Sequence, residues 1–390
     1  MKLALTTLWL LLITLDSYYF YQVGAPVFPL LAACMSVVFV IYNYRKVNFS
    51  EIIVNQKKVL FIFAYLAISS IVIGLFYQTA VFEKRIPALV FFLPIIIHAG
   101  YLFHSRPDLL KSGLKIVLSI HLLFFFVQFI TYYATGNFLD YLEPITGESQ
   151  RALGGSYTFS ALNIKLIRAT GLFNEPGSYS TFVFLTYAIL QIVRKNLNED
   201  LSITLFDGLV LMSILLTFSI FGFIFTSTYV ATLLIHKKLS TKIAVAVMAT
   251  PFMYLSVINY IMPRFGKDAD HSGVGFRTEI VQYAIDHIPE NTYATLIGYG
   301  SFVDLNTLFN VSFFWNDVGL ILNLITSFGV VGMIILAFIS REAFMKYKLF
   351  FIILLLAKLS IYTIFIWFCF SIFYSRATEQ ASGKVFPETS

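Results

Sequence analysis

The sequence predicts an all-α fold, a polytopic membrane helix bundle of about 11 to 12 spans with two long outward-facing loops. Three observations carry that expectation. The 390 residues are 58% hydrophobic and 12% charged, whereas soluble domains are roughly half apolar and about a quarter charged. Apolar runs near the length that crosses a bilayer recur along the chain. Lysine and arginine collect on alternate connections between those runs. Aromatic residues reach 17%, with 42 Phe and 23 Tyr, a composition suited to lipid-facing and interfacial helix surfaces.

The expected spans are 3–20, 27–44, 59–77, 86–103, 114–133, 177–193, 201–219, 220–235, 243–262 and 317–339. The apolar stretch from Leu205 to Ile235 is too long for one crossing, so it is divided at 219–222, where "TFSIFG" allows a tight turn. The run 349–375 reads as one long helix or two short ones, with Lys358 near the break. The first segment carries Lys2 and an apolar core but no small-residue cleavage site, so it is expected to be a first span and not a signal peptide. With Lys2 inside and strict alternation, 16 of the 27 basic residues fall on the inner side and 8 on the outer. The net charge of +6 is therefore read as membrane topology with a cytoplasmic N-terminus, and nucleic acid is not an expected partner. Cys34 and Cys369 lie in apolar runs, where neither a disulfide nor a metal site is expected.

Two outer connections are long, 134–170 and 263–315, within a single membrane domain spanning 1–390. They hold nearly all the ionisable groups that topology leaves unexplained, and long loops of this kind are commonly functional. The first ends in "RATGLFNEPGSYST". There Glu175 is expected to cap a helix, Pro176 to occupy its first turn and Gly171 to let the chain bend. Arg168 fits less well, because a cation just before a helix N-terminus opposes the helix dipole. The second loop contains "GVGFRTEIVQYAIDHIPE", an amphipathic helix over 277–288 with Ile280, Val281, Ala284, Ile285 and Ile288 on one face. Arg277 again opens it, and "LIGYG" brings Gly298 and Gly300 into a turn. Asn316 or Asp317 is placed to cap the following span. Two outward arginines at a membrane surface suit phosphate or diphosphate, with phospholipid headgroups as the competing ligand. Asp268-Ala269-Asp270 has an Asp-x-Asp spacing but reads as solvated loop. Asp16, His98, His121, Asp207 and Lys358 are ionisable groups within apolar runs, a placement that marks them for inspection.

"RATGLFNEPGSYST" resembles the Arg-x-x-Gly-Phe-x-(Glu/Asn)-Pro signature of the O-antigen polymerase (Wzy) and O-antigen ligase superfamily. "GFRTEIVQYAIDHI…LIGYG" looks like the second periplasmic loop of that family, and "NDVGLILNLITSFGVVG" like the span that follows it. The resemblance implies an integral-membrane glycosyltransferase of the bacterial inner membrane, working at the periplasmic face without a nucleotide sugar, a metal or a cofactor. Its implied donor and acceptor are oligosaccharides on undecaprenyl diphosphate, and its implied associates are membrane lipids, a chain-length regulator and a flippase. It implies that Arg168 and Arg277 hold the diphosphate, that Glu175 or Asp317 is the base, and that Gly171, Pro176, Gly298 and Gly300 shape the loops. Ligases carry a histidine near the late span, where this chain reads "FFWNDVG". Polymerase is therefore the favoured member, ligase the alternative, and a flippase or transporter of lipid-linked oligosaccharides the alternative of another class.

Overall fold

The computed structural model describes residues 1–15, 27–43, 47–76, 82–147, 149–151, 158–161, 164–234, 238, 254, 273–288, 292–300, 303–311, 319–357, 359–361 and 363–375, without the side chains of 82–89, 158–166 and 273–277. The expected span 243–262 lies outside them, apart from Tyr254.

The first half contributes α1 (Lys2–Thr14), α2 (Val27–Asn43), α3 (Phe49–Phe76), α4 (Phe82–Ser105) and α5 (Pro107–Thr135). Helix α5 has Pro107 in its first turn and stops at Gly136 with φ 74°, so proline and glycine take the two ends that suit them. The short α6 (Glu143–Thr146) and an antiparallel hairpin, β1 (Thr158–Ala161) with β2 (Ile164–Ile167), follow in the first long loop. The fold is thus helical with one two-stranded ribbon added at a loop. Next come α7 (Pro176–Asn196), α8 (Leu205–Leu216) and α9 (Ile220–Leu234). The break between α8 and α9 falls at 217–219, close to the expected division, with Phe218 at φ 49°. The second long loop supplies α10 (Gly273–His287), α11 (Thr292–Ile297) and α12 (Leu305–Phe309), and α13 (Leu320–Leu356) and α14 (Ile364–Phe373) close the described chain.

Among the described residues α3, α5 and α13 are long and apolar enough to cross a membrane, with several shorter apolar helices beside them. The chain therefore has the make-up of a helical membrane protein. Helix α3 begins ten residues before the expected span, because "FSEIIVNQKK" has no glycine or proline to stop a helix reaching into the basic connection.

Helix α7 is the centre of the bundle. Every residue from Tyr179 to Arg194 is buried, and α1, α5, α8, α9, α13 and α14 all touch it. A helix enclosed by protein can carry polar groups that lipid would not tolerate, provided neighbours satisfy them. Tyr179 Oη donates to Ser213 Oγ at 2.9 Å, Ser180 and Thr217 hydroxyls meet at 2.8 Å, and the Tyr187 and Tyr229 hydroxyls meet at 3.2 Å. Interhelical bonds of this type contribute about 0.6 kcal/mol each on average.

Helix α13 is not a rod. Its backbone is non-helical at Gly329 (φ 61°) and at Tyr347 (φ −129°), and Leu320 N donates to Ala357 O at 2.9 Å, so its two ends meet. The basic connection expected after residue 339 is therefore helical, and the chain turns at Tyr347. Among the described residues between α13 and α14, Ala357, 359–361 and Thr363 are not helical, so the run 349–375 divides into the end of α13 and the short α14. Ala357, Leu359, Ser360 and Ile361 are buried, and their polar groups are engaged. Trp367 Nε1 donates to Ile361 O at 2.9 Å and Ser360 Oγ to Asn323 Oδ1 at 3.3 Å. Lys358 itself is outside the described residues.

Candidate functional site

The end of the first long loop is held by two buried glutamines. Gln128, on α5, accepts from the backbone N–H groups of Thr170 and Gly171 at 2.8 and 3.0 Å, and donates to Leu139 O and Gln150 Oε1, each at 2.8 Å. Gln150 in turn donates to the carbonyls of Gly171 and Phe173 at 2.6 and 2.9 Å. Asp140 holds the approach, accepting from Leu142 N, Glu143 N and Gln150 N. Gly171 lies at φ 55°, and a Cβ there would stand 3.1 Å from the Tyr179 ring and 3.4 Å from the α5 backbone. The bend expected of Gly171 is present, and it is a close approach as well as a turn.

Pro176 opens α7 as expected, and Glu175 occupies the N-cap position. Its carboxylate makes no cap bond to the backbone; instead Ser178 Oγ donates to Glu175 Oε1 at 3.3 Å. The capping role is corrected accordingly: the helix start relies on Pro176 and the dipole, and the carboxylate is turned to a hydroxyl. Arg168 needs a correction too. It is 4% exposed, and its Nε donates to Thr217 O at 3.3 Å, at the carbonyl end of α8. A helix C-terminus carries partial negative charge, so the guanidinium that opposes one helix suits another.

These side chains share one corner. The Glu175 Oε1 and Ser219 Oγ atoms lie 3.7 and 3.9 Å from where a Cβ on Gly177 would stand, and Ser219 N donates to Thr217 Oγ1 at 3.2 Å. Arg168 is bonded to that same Thr217, so the α8–α9 break brings Arg168 and Glu175 to one end of α7. Thr170 Oγ1, Asn174 Oδ1 and Tyr141 Oη, in the same loop, are buried with no hydrogen-bond partner among the described residues. Burial pushes the Tyr141 phenol above its ordinary pKa, so the neutral hydroxyl is favoured.

The second loop meets the bundle elsewhere. Gly298 and Gly300 take φ values of 81° and 63°. The turn they form points Tyr299 N at Thr326 O (2.8 Å) and Gly300 N at Ser327 O (3.1 Å). Those carbonyls are exposed by the break in α13 at Gly329, and Tyr65 Oη of α3 takes the next one, Phe328 O, at 3.2 Å. A Cβ on Gly298 would stand 2.3 Å from Ser327 O, and one on Gly300 2.6 Å from Ser70 Cα. Loop glycines and a helix glycine therefore fit into one another.

Around this joint, Ile73, Ala294, Tyr299 and Val303 form a small apolar cluster, separate from the main core. The amphipathic helix is present as α10, with Ile280 and Ala284 buried and Ile285 60% exposed, so the buried face is narrower than the expected stripe. The Arg277 side chain and Asp317 lie outside the described residues. Helix α13 begins at Leu320 with Gly319 as its N-cap, which corrects the expectation that Asn316 or Asp317 caps that span.

The ionisable groups of the apolar runs have structural partners. His98 is stacked on Phe39 with ring centroids 4.0 Å apart and lies 3.3 Å from Ser36 Oγ. His121 bonds Thr14 Oγ1 at 2.9 Å. Asp207 forms a capping box with Thr204 and pairs with Arg194 at 3.4 Å. Asp16 and the Asp268-Ala269-Asp270 stretch lie outside the described residues, and among those described no three His, Cys, Asp or Glu side chains converge. Both described cysteines are free, Cys369 buried and Cys34 exposed.

Sequence reasoning missed Gln128, Gln150 and Gly329. Gln128 did leave a signal, as an amide alone in "HLLFFFVQFITYY", because a polar side chain within a span wants a partner. Gln150 left none, since a glutamine in a polar loop is unremarkable. Searches found no matching family model, no matching curated protein and no matching solved structure.

Proposed function

We propose that this chain is a polymerase of lipid-diphosphate-linked saccharide units, acting at the outer face of a bacterial inner membrane. One observation carries the reading: a cation and a carboxylate from the "RATGLFNEP" motif, Arg168 and Glu175, share a polar corner at the start of the central helix α7. In the reaction an acceptor hydroxyl oxygen attacks the anomeric carbon. The bond from that carbon to the lipid diphosphate breaks, its electron pair leaves on the diphosphate oxygen, and the hydroxyl proton passes to Glu175. A single displacement inverts the anomeric centre. Arg168 and Arg277 are the groups assigned to the charge that grows on the leaving diphosphate; a donor aimed at such charge typically contributes about 3–4 kcal/mol. Ser178 Oγ donates to Glu175 and orients its carboxylate, and the unpaired buried polar atoms of Thr170, Asn174 and Tyr141 leave the corner polar. Asp317 is the second carboxylate of the proposal, and Gly171, Pro176, Gly298 and Gly300 shape the two loops around it.

The test is the length of surface polysaccharide made by Glu175→Gln and Arg277→Ala variants in the native host, at normal membrane levels of protein. Collapse of long chains to single repeat units is the expected result. Loss of single units as well points to ligase or flippase, and unchanged length removes both residues from the chemistry.

One feature favours a second reading, a transporter of the same lipid-linked saccharides. Helix α13 is broken at Gly329, and buried non-helical chain separates it from α14, as in transporters whose sites lie between half-helices. Purified protein in vesicles with labelled lipid-linked repeat units separates the two: polymer formed without translocation supports the polymerase, translocation without polymer the transporter.

A further inference from the structure

About 18 Å along α3 from Ser70, at 1.5 Å per residue, the bundle has a second feature that neither loop uses. Helices α3 and α13 border an open groove of about 370 Å³ lined by Lys58, Phe338, Ile339, Arg341, Glu342 and Met345. A smaller one beside it adds Lys346, Tyr374 and Ser375. The walls hold three cations, Lys58, Arg341 and Lys346, against one carboxylate, Glu342, which is already paired with Lys58. Lys195, at the end of α7, is near enough to Lys346 for the two to repel. Among the described residues neither Arg341 nor Lys195 forms an ion pair, and the only acid that acts on Lys346 is Glu342, whose carboxylate is paired with Lys58. Such a cluster of like charge is held together at a cost unless an anion joins it.

The outer face of α13 beside the groove is of the opposite character. Ile334, Phe338 and Met345, which lie on one side of α13 by helical spacing, are 65%, 79% and 74% exposed. A free phosphate would use the cations alone, and an apolar peptide the stripe alone. A molecule with an anionic head and a long apolar tail uses both, and in a membrane protein that molecule is at hand.

We infer that the groove between α3 and α13 is a binding site for an anionic phospholipid, its phosphodiester between Arg341 and Lys346 and an acyl chain along Ile334, Phe338 and Met345. The guanidinium of Arg341 offers a planar fork to the phosphate oxygens and Lys346 a point charge. Glu342 opposes the headgroup and keeps the site exchangeable.

The experiment is native mass spectrometry of the full chain, released from nanodiscs holding equal phosphatidylglycerol and phosphatidylcholine. Wild type is expected to retain phosphatidylglycerol preferentially. Arg341→Gln lowers that retention about fivefold, the equivalent of about 1 kcal/mol per basic residue at a lipid surface. Glu342→Gln raises it, a gain that misfolding does not mimic. Equal retention of the two lipids by wild type, no change in Arg341→Gln, or displacement of the lipid by millimolar inorganic phosphate overturns the assignment; the last outcome leaves a simple anion site.

Discussion

The two long loops reach the bundle by opposite means. The first is tied by side chains: Gln128 of α5 and Gln150 of the loop itself hold its backbone at Leu139, Tyr141, Thr170, Gly171 and Phe173. The second is tied by backbone, with the N–H groups of Tyr299 and Gly300 bonded to carbonyls that the break in α13 leaves free. A side-chain anchor leaves a polar residue inside an apolar run. A backbone anchor leaves only glycines, because two main chains approach too closely for any Cβ. The same difference sets how each loop fails when it is mutated.

The largest effect is expected at the backbone joint. Gly298→Ala combines a positive φ with a 2.3 Å contact to Ser327 O, and should cost more than about 3 kcal/mol, since such strain alone is roughly 1–3 kcal/mol. Thermal unfolding in detergent measures the loss, and hydrogen exchange should rise over 292–311 while 128–175 stays protected. Rising exchange in both loops at once would show that they are one cooperative unit and break the comparison.

Gln128→Leu comes next. It leaves the N–H groups of Thr170 and Gly171 buried without their acceptor, at about 1–3 kcal/mol for an unsatisfied group. Exchange should then rise at 170–171 and not at 299–300. Tyr65→Phe should be milder, about 1 kcal/mol or less, because it removes only the donor to Phe328 O while the two backbone donors of the joint remain. A loss as large as that of Gly298→Ala would show that the joint depends on the α3–α13 side-chain bond as much as on the loop's backbone.

The smallest effect belongs to the far end of α7, away from both loops. Lys111, bonded to Glu199, holds that carboxyl below its ordinary pKa. A folded-state pKa lowered in this way adds stability above the ordinary carboxylate range, and that stability is lost as pH falls through the lowered value. Unfolding followed from pH 7 downward should show the loss in wild type and not in Glu199→Gln, with neither loop's exchange affected.

Much of the framework was legible because it is local. The division at 219–222 is read from "TFSIFG", and the break near Lys358 from a charge within the apolar run 349–375. Pro176 and Gly171 declare themselves by residue type. The candidate corner was only half legible. The motif named Arg168 and Glu175, but Arg168's partner is the carbonyl of Thr217, forty-nine positions away, and no local pattern encodes it. The Glu175 side chain does not cap α7 for a related reason: a carboxylate able to cap is free to do something else once a hydroxyl is close by.

Composition and periodicity alone determined that this chain has the make-up of a helical membrane protein, and where glycine and proline let its helices stop. Those signals depend on each residue's own transfer and backbone preferences, which act over a few positions. Only the tertiary structure decided that α7 is enclosed on every side, that α13 bends until Leu320 reaches Ala357, and that one loop is held by amides and the other by its own backbone. Each of these depends on groups distant in sequence meeting at about 3 Å, and a hydrogen bond of that length is specified by where two elements cross, not by the residues on either side of it.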